Sequence, residues 1–317
     1  MKKRPGCGKT DREVMHMQGI RTDLAAEARD LWRESAGETG ALPGVEARQE
    51  TENGFPVETI RILDERGEQA MGKPRGTYVT IELEPLLRRE AGAFRRGAGV
   101  VAARLRALLG LGEGDSVLVA GLGNRAMTPD VLGPMTLEHV LATRHLVTSL
   151  PETFGGLRPV SLLETGVLGT TGLESSELIR AVVRRLRPGA VVAVDALASR
   201  RLDRVCRTLQ LADTGIAPGS GVGNSRPELS RGSLGVRVVA VGIPTVVDAA
   251  TLAADLTARS GLGERPPEDF ASAAEGLMVT PREIDARMRE LSRLLGYGLN
   301  LALQEGLTIE DFTALMG

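Results

Sequence analysis

From Val117 onward the chain alternates short apolar runs with stretches whose apolar residues fall at helical spacing. Val117–Ala120 and Ala190–Val194 are wholly apolar, the pattern of strands buried on both faces of a parallel sheet. The pattern predicts strand 117–120, a helix from about Gly133 to Leu150, strand 159–163, helix 174–187 and strand 190–195. Strands near 206–212 and 236–242 follow, then a helix from about Ala249. Alternation of this kind predicts an α/β fold, three layers α/β/α, with a mainly parallel central sheet between the helices.

Ahead of this block the pattern is weaker. Residues 1–21 are polar and without a period, as in a loose arm. Thr22 or Asp23 is then placed to cap a helix running through Leu31 and Trp32. Gly37–Pro56, rich in Gly, Glu and Thr, reads as a surface loop. Val57, Ile60 and Ile62 suggest a strand, and Thr77–Leu83 its hairpin partner across the turn-forming Met71–Gly76, a hairpin insertion over about 57–84. Pro85–Leu109 is helical in spacing, weakened by Gly92, Gly97 and Gly99. Gly261–Glu268 reads as a linker. Thr280, Pro281 and Glu283 form a capping box for a last helix over about 280–306, whose apolar face is Ile284, Met288, Leu291 and Leu295.

Composition narrows the function classes. A chain of 317 residues can bury a large core, here a single domain over 24–317. A formal net charge of -2 gives no drive toward nucleic acid or anionic lipid, and 3% aromatics argues against base-stacking platforms. Cys7 and Cys206 match no metal spacing, which suits a reducing compartment. The basic start lacks the apolar region of a secretory signal, and no apolar run reaches membrane-spanning length.

The candidate chemistry lies at strand ends. Gly121 and Gly123 let the chain turn sharply after 117–120, Pro129 stiffens the loop, and Asp130 closes it beside a helix start. Asp195 ends the apolar run Ala190–Val194. Two carboxylates outside the carboxyl ends of neighbouring parallel strands can face one crevice, share a proton and activate water for peptide hydrolysis. Gly121–Ala126 also fits G-x-G-x-x-A, but Met127-Thr128-Pro129 interrupts the helix that should receive a pyrophosphate, and no ribose-binding acid follows. Asp213-Thr214-Gly215 reads as a strand-end turn. Gly219–Asn224 suits either an anion cradle or a substrate-facing loop. Asp248 is a third strand-end acid, read first as the cap of the following helix. His139 and His145 are placed too far around a helix to share a metal, and His16 lies in the arm.

Several stretches together carry a family resemblance: TDLAAEA at 22–28, MGKPRGTYVTIE at 71–82, GLGNRAMTPDVLGP at 121–134 with TRHL at 143–146, DALASR at 195–200, DTGIAPGSGVGN at 213–224, GIPTVVDA at 242–249 and VTPREID at 279–285. In order, over nearly the whole chain, they resemble the germination protease family of spore endopeptidases. That resemblance implies an α/β/α fold similar to hydrogenase-maturation peptidases. It also implies a homotetramer made as a zymogen in the spore core, with no cofactor or metal. Its substrates would be the small acid-soluble proteins that coat spore DNA, cut when the spore germinates, with no direct contact to nucleic acid or membrane. The family's two essential aspartates fall on Asp130 and Asp195. Thr22–Glu27 mimics the substrate pattern, which implies self-cleavage between Asp23 and Leu24 and a propeptide arm 1–23.

Arg125-Ala126 stands where the family usually has Trp-Asn, Glu164-Thr165-Gly166 where a Pro-Gly turn is common, and the segment before the last helix is short. Arg125 is expected to place a positive charge near Asp130 and lower its pKa. Two alternatives follow: a catalytically impaired homologue that binds or regulates, or a peptidase that matures a metalloprotein precursor.

Overall fold

The computed structural model describes residues 22–36, 42–260, 273–274 and 276–316. Most of the arm and the Gly261–Glu268 linker lie outside the described residues. The body is a mixed α/β structure built on a nine-stranded sheet. Its strands are β1 (Val45–Glu52), β2 (Phe55–Ile62), β3 (Gly76–Glu82), β4 (Val117–Leu122), β5 (Val160–Gly166), β6 (Ala190–Ser199), β7 (Thr208–Ala212), β8 (Arg237–Asp248) and β9 (Met278–Val279). They lie in the order β1-β2-β3-β7-β8-β6-β4-β5, with β9 paired to β8.

One half of the sheet is parallel: β5 with β4, β4 with β6, and β6 with β8. Every residue of β4 is buried, and alternate residues feed separate apolar clusters. Val117 and Val119 join one cluster with helices Ala93–Leu109 and Ile284–Leu303, while Leu118 and Ala120 join another with Ile179 and Val183 of helix Ser175–Leu186. Period-2 side chains with both faces covered explain the unbroken apolar runs.

The other half is antiparallel: β1 with β2, β2 with β3, β3 with β7, and β7 with β8. The sheet is therefore mixed rather than mainly parallel. The reason is connection length, because a parallel return needs a crossover of roughly a dozen residues or more. Only 200–207 join β6 to β7, so β7 runs back antiparallel beside β8.

Local departures from the sequence pattern have similar causes. The loop expected over 37–56 contains β1 and the start of β2, joined at Asn53-Gly54 with φ of 49° and 84°. Asn-Gly with both φ positive is the turn that matches strand twist in a two-residue hairpin. Strands β2 and β3 do pair as expected, but helix Glu65–Met71, capped by Asp64, stands between them. The helix expected over 133–150 is broken into Leu132–Leu137 and Arg144–Ser149. Asn300 takes over the backbone between them, donating to the His139 carbonyl (2.9 Å) and accepting from Leu141 N (2.8 Å). The last long helix starts at Ile284, not at Pro281, since the Thr280 hydroxyl donates to the Thr245 carbonyl (2.8 Å) instead of capping it. Ile284, Met288, Leu291 and Leu295 are buried as expected. Among the described residues no helix is long and apolar enough to cross a membrane.

Candidate active site

Strand β4 delivers the chain into a loop that closes on itself. Gly123 has φ of 114°, and a Cβ there would stand 2.0 Å from the Asp130 carbonyl oxygen, so only glycine allows the closure. Asn124 N donates both to that carbonyl (3.0 Å) and to Asp130 Oδ2 (2.9 Å). The loop ends in a single helical turn, Thr128–Asp130, before helix Leu132–Leu137. Asp130 is half-buried, and that burial pushes its carboxyl above the usual range against the pull of Asn124 N–H.

Asp195 belongs to β6, one residue past the Gly121–Val194 pair and opposite Gly242 of β8. It is 5% exposed. Its carboxyl accepts from Ala196 N at 2.9 Å. Burial first, then the charge of Asp130 and then that of Asp23, holds its pKa well above the ordinary carboxylate value. Asp130 and Asp195 thus line the same cavity, of about 560 Å³. Asp130 lies beyond the carboxyl end of β4, while β6 runs on to Ser199 and holds Asp195 in mid-strand, just past the last residue it pairs with β4. A pair of this kind can keep one proton at neutral pH, the buried member holding it and the more exposed member free to accept another.

Arg125 does not bear on Asp130 as expected. Its guanidinium binds Glu164 (2.6 Å) and Glu138, which holds Arg125 above its usual pKa and Glu164 below its own. The two carboxylates neutralise it, and Asp130 moves up rather than down. Asp248 is the helix cap, accepting from Thr251 N and Oγ1, both at 2.9 Å, ahead of helix Ala249–Arg259. Asp213 is a strand-end turn residue, accepting from Thr77 N at 2.7 Å. His139 and His145 fall on separate segments, and among the described residues no group of three His, Cys, Asp or Glu side chains could hold a metal ion.

The family model for germination proteases matches residues 25–258. The germination protease of Caldanaerobacter subterraneus subsp. tengcongensis is 43% identical, over 94% of this chain and 98% of its own length. That of Clostridium tetani is 38% identical, over 94% and 99%, and that of Halalkalibacterium halodurans 35%, over 95% and 98%. The chain belongs to the germination protease family. It is therefore a peptidase, with a role in spores.

Within this family member, Asp23 and Leu24 fall where sequence reasoning did not foresee their surroundings. Asp23 lines the same cavity as Asp130 and Asp195, and its carboxylate accepts from Ala198 N (2.8 Å) and Ser220 Oγ (2.8 Å) rather than capping the helix Ala25–Ala36. Ser220 belongs to the glycine-rich loop, which meets the Asp23 carboxyl through this hydroxyl. Leu24 is fully buried, and Lys73 and Gln210 reach the Asp23 backbone. One signal could have found Gln210: a buried amide inside the apolar run TLQLA needs a hydrogen-bonding reason.

Proposed function

We propose that this chain is an aspartic-type endopeptidase in which Asp130 and Asp195 act as a water-activating dyad on a three-layer α/β/α body. The observation that carries the reading is the pair of carboxyls on one cavity, both pushed up, with the charge of Asp130 acting on the deeper Asp195. Asp195 holds the shared proton, because its burial is the greater. Ionised Asp130 takes a proton from water, and the water oxygen adds to the scissile carbonyl carbon. Asp195 polarises the carbonyl and then protonates the departing amine as the C–N bond breaks.

The substrates in this reading are small acid-soluble DNA-binding spore proteins, whose breakdown the enzyme starts during germination in the spore core. The enzyme is a homotetramer made as a zymogen and matured by cleavage between Asp23 and Leu24. The family membership and the presence of Asp23 on the cavity wall support this. Intact-mass analysis tests it: the purified chain should shorten to a species beginning at Leu24, while Asp130→Asn and Asp195→Asn chains stay full length. Normal shortening in both variants would end the dyad reading.

A further inference from the structure

Thr22–Glu27 is docked more completely than the start of a helix requires. Asp23 N donates to the Ala198 carbonyl (3.0 Å), and Ala198 N returns a bond to Asp23 Oδ2 (2.8 Å). Ser220 Oγ donates to Asp23 Oδ1 (2.8 Å). The backbone carbonyl of Asp23 accepts two further bonds, from Lys73 Nζ and Gln210 Nε2, each 3.0 Å. Gln210 Oε1 in turn accepts from Ala25 N at 2.7 Å. One side chain therefore grips both sides of the Asp23–Leu24 bond.

Helix formation accounts for only one of these bonds, that of Ala25 N to Gln210. A helix start needs acceptors for its free N–H groups, whereas here two donors, the Lys73 and Gln210 nitrogens, converge on a single carbonyl oxygen. Asp23 lines both the cavity of Asp130 and Asp195 and the neighbouring one that holds Lys73 and Gln210, and two donors on one carbonyl oxygen can stabilise charge developing there. The side chain of the same residue is read separately by one amide and one hydroxyl.

We propose that Lys73 and Gln210 bind the carbonyl oxygen of the bond to be cut, that Ser220 and the Ala198 amide bind an acidic side chain on its N-terminal side, and that Asp23 fills this site before cleavage. The assignment rests on the dyad reading above. Water oxygen joins the carbonyl carbon, the former carbonyl oxygen takes the negative charge, and the C–N bond then breaks with a proton passing to the Leu24 nitrogen. That oxygen carries three lone pairs in the tetrahedral species, room for Lys73, Gln210 and the Asp195 proton together. Release of residues 1–23 then clears the carboxylate site for an acidic residue of a substrate.

The test uses the full chain with two readouts: release of residues 1–23 by intact mass, and cleavage of a synthetic Ile20–Arg29 decapeptide against its Asp23→Asn version. Wild type should cut the aspartate peptide at least about tenfold faster, since a charged acceptor doubles the strength of each bond it receives. Gln210→Glu keeps the acceptor for Ala25 N but removes the donor, and should lower kcat on the order of 10²-fold with a smaller change in KM. Lys73→Met should do likewise, with partial rescue in Lys73→Arg. Ser220→Ala should instead act through KM and reduce the aspartate preference about tenfold.

Equal cutting of both peptides by wild type overturns the proposal. So does a folded Gln210→Glu chain with wild-type kcat, or a Ser220→Ala chain with undiminished preference. The dyad fails separately: if Asp130→Asn and Asp195→Asn stay active while Gln210→Glu and Ser220→Ala respond as stated, the clamp stands and the dyad falls.

Discussion

The two halves of the sheet contribute different chemistry. In the parallel half, the loop after β4 carries Asp130 and β6 carries Asp195 in mid-strand. The antiparallel half contributes donors, Gln210 from β7 and Lys73 from the turn before β3. A parallel array brings all its strand ends to one edge, and so gathers like residues from distant positions in the chain. An antiparallel strand laid against that array can instead point a mid-strand side chain at a segment crossing it. The proposed division is acids from one half and positioning from the other, and each prediction below tests part of it.

The largest effect belongs to the acids. Asp130→Asn and Asp195→Asn should each lower kcat on the order of 10²–10⁴-fold while circular dichroism stays unchanged. The same pair should set the pH profile. Activity falls on the acid side as Asp130 gains a proton and on the alkaline side as Asp195 loses one, each limb displaced upward from an ordinary carboxylate because both pKa values are raised.

The raised pKa of Asp195 has a stability consequence opposite in sign to its proposed catalytic one. Its folded pKa is raised, so the native state binds the proton more tightly than the unfolded chain. The contribution is fully present below the unfolded value of about 3.9 and is lost as pH rises through the folded value. Asp195→Asn removes that dependence. The variant should have a higher urea midpoint than wild type at neutral and alkaline pH, with the gap closing toward about pH 4. A gap independent of pH would show that Asp195 is ordinary in its ionisation.

Gly123 tests whether the acids need their frame. In Gly123→Ala the new Cβ would meet the Asp130 carbonyl at 2.0 Å, and φ of 114° is strained for alanine. A displacement of about 1 Å can cost on the order of 10²-fold in rate, and a loss of that size in kcat is expected. The control is Gly54→Ala in the antiparallel half. Its φ is 84° but the Cβ finds nothing closer than 3.9 Å, so only the backbone term remains. It should cost about 1–2 kcal/mol in a urea titration and leave kcat alone. Loss of activity there would mean that the edge hairpin shapes the site.

The parallel half was the more legible of the two in sequence, for a physical reason. Strands covered on both faces must be apolar throughout, so Val117–Ala120 and Ala190–Val194 announce themselves, as do the acids that follow these runs, although β6 itself continues past Asp195 to Ser199. Strand β1 lies at the sheet edge and carries Glu46, Arg48 and Glu50, a polar run that hides a strand. Its one clear signal was Asn53-Gly54. Lys73 gave no sign in the sequence, and Gln210 only the sign of an amide within an apolar run, for another reason. Their role comes from hydrogen bonds to Asp23, 50 and 187 residues away along the chain, and no local pattern encodes such a meeting. The break between Leu137 and Arg144 is hidden likewise, since Asn300 makes it.

The smallest expected effect is at Arg125, and it decides whether charge outside the cavity tunes the acids. Arg125 is half exposed and held by Glu138 and Glu164, themselves partly exposed. Exposed pairs of this kind contribute about 0–1 kcal/mol, because solvent screens the attraction and ordering the side chains costs entropy. Removing the cation leaves two carboxylates near the loop, yet their charge reaches Asp130 through solvent, where salt damps it over about 8 Å at physiological ionic strength. Arg125→Ala should therefore change the unfolding free energy from a urea titration by no more than about 1 kcal/mol and leave kcat within about twofold. The acid limb of the rate profile should stay in place in both low and high salt. A limb that moves up at low salt and returns at high salt would show that Arg125 does act on Asp130, and that the burial argument for its raised pKa is incomplete.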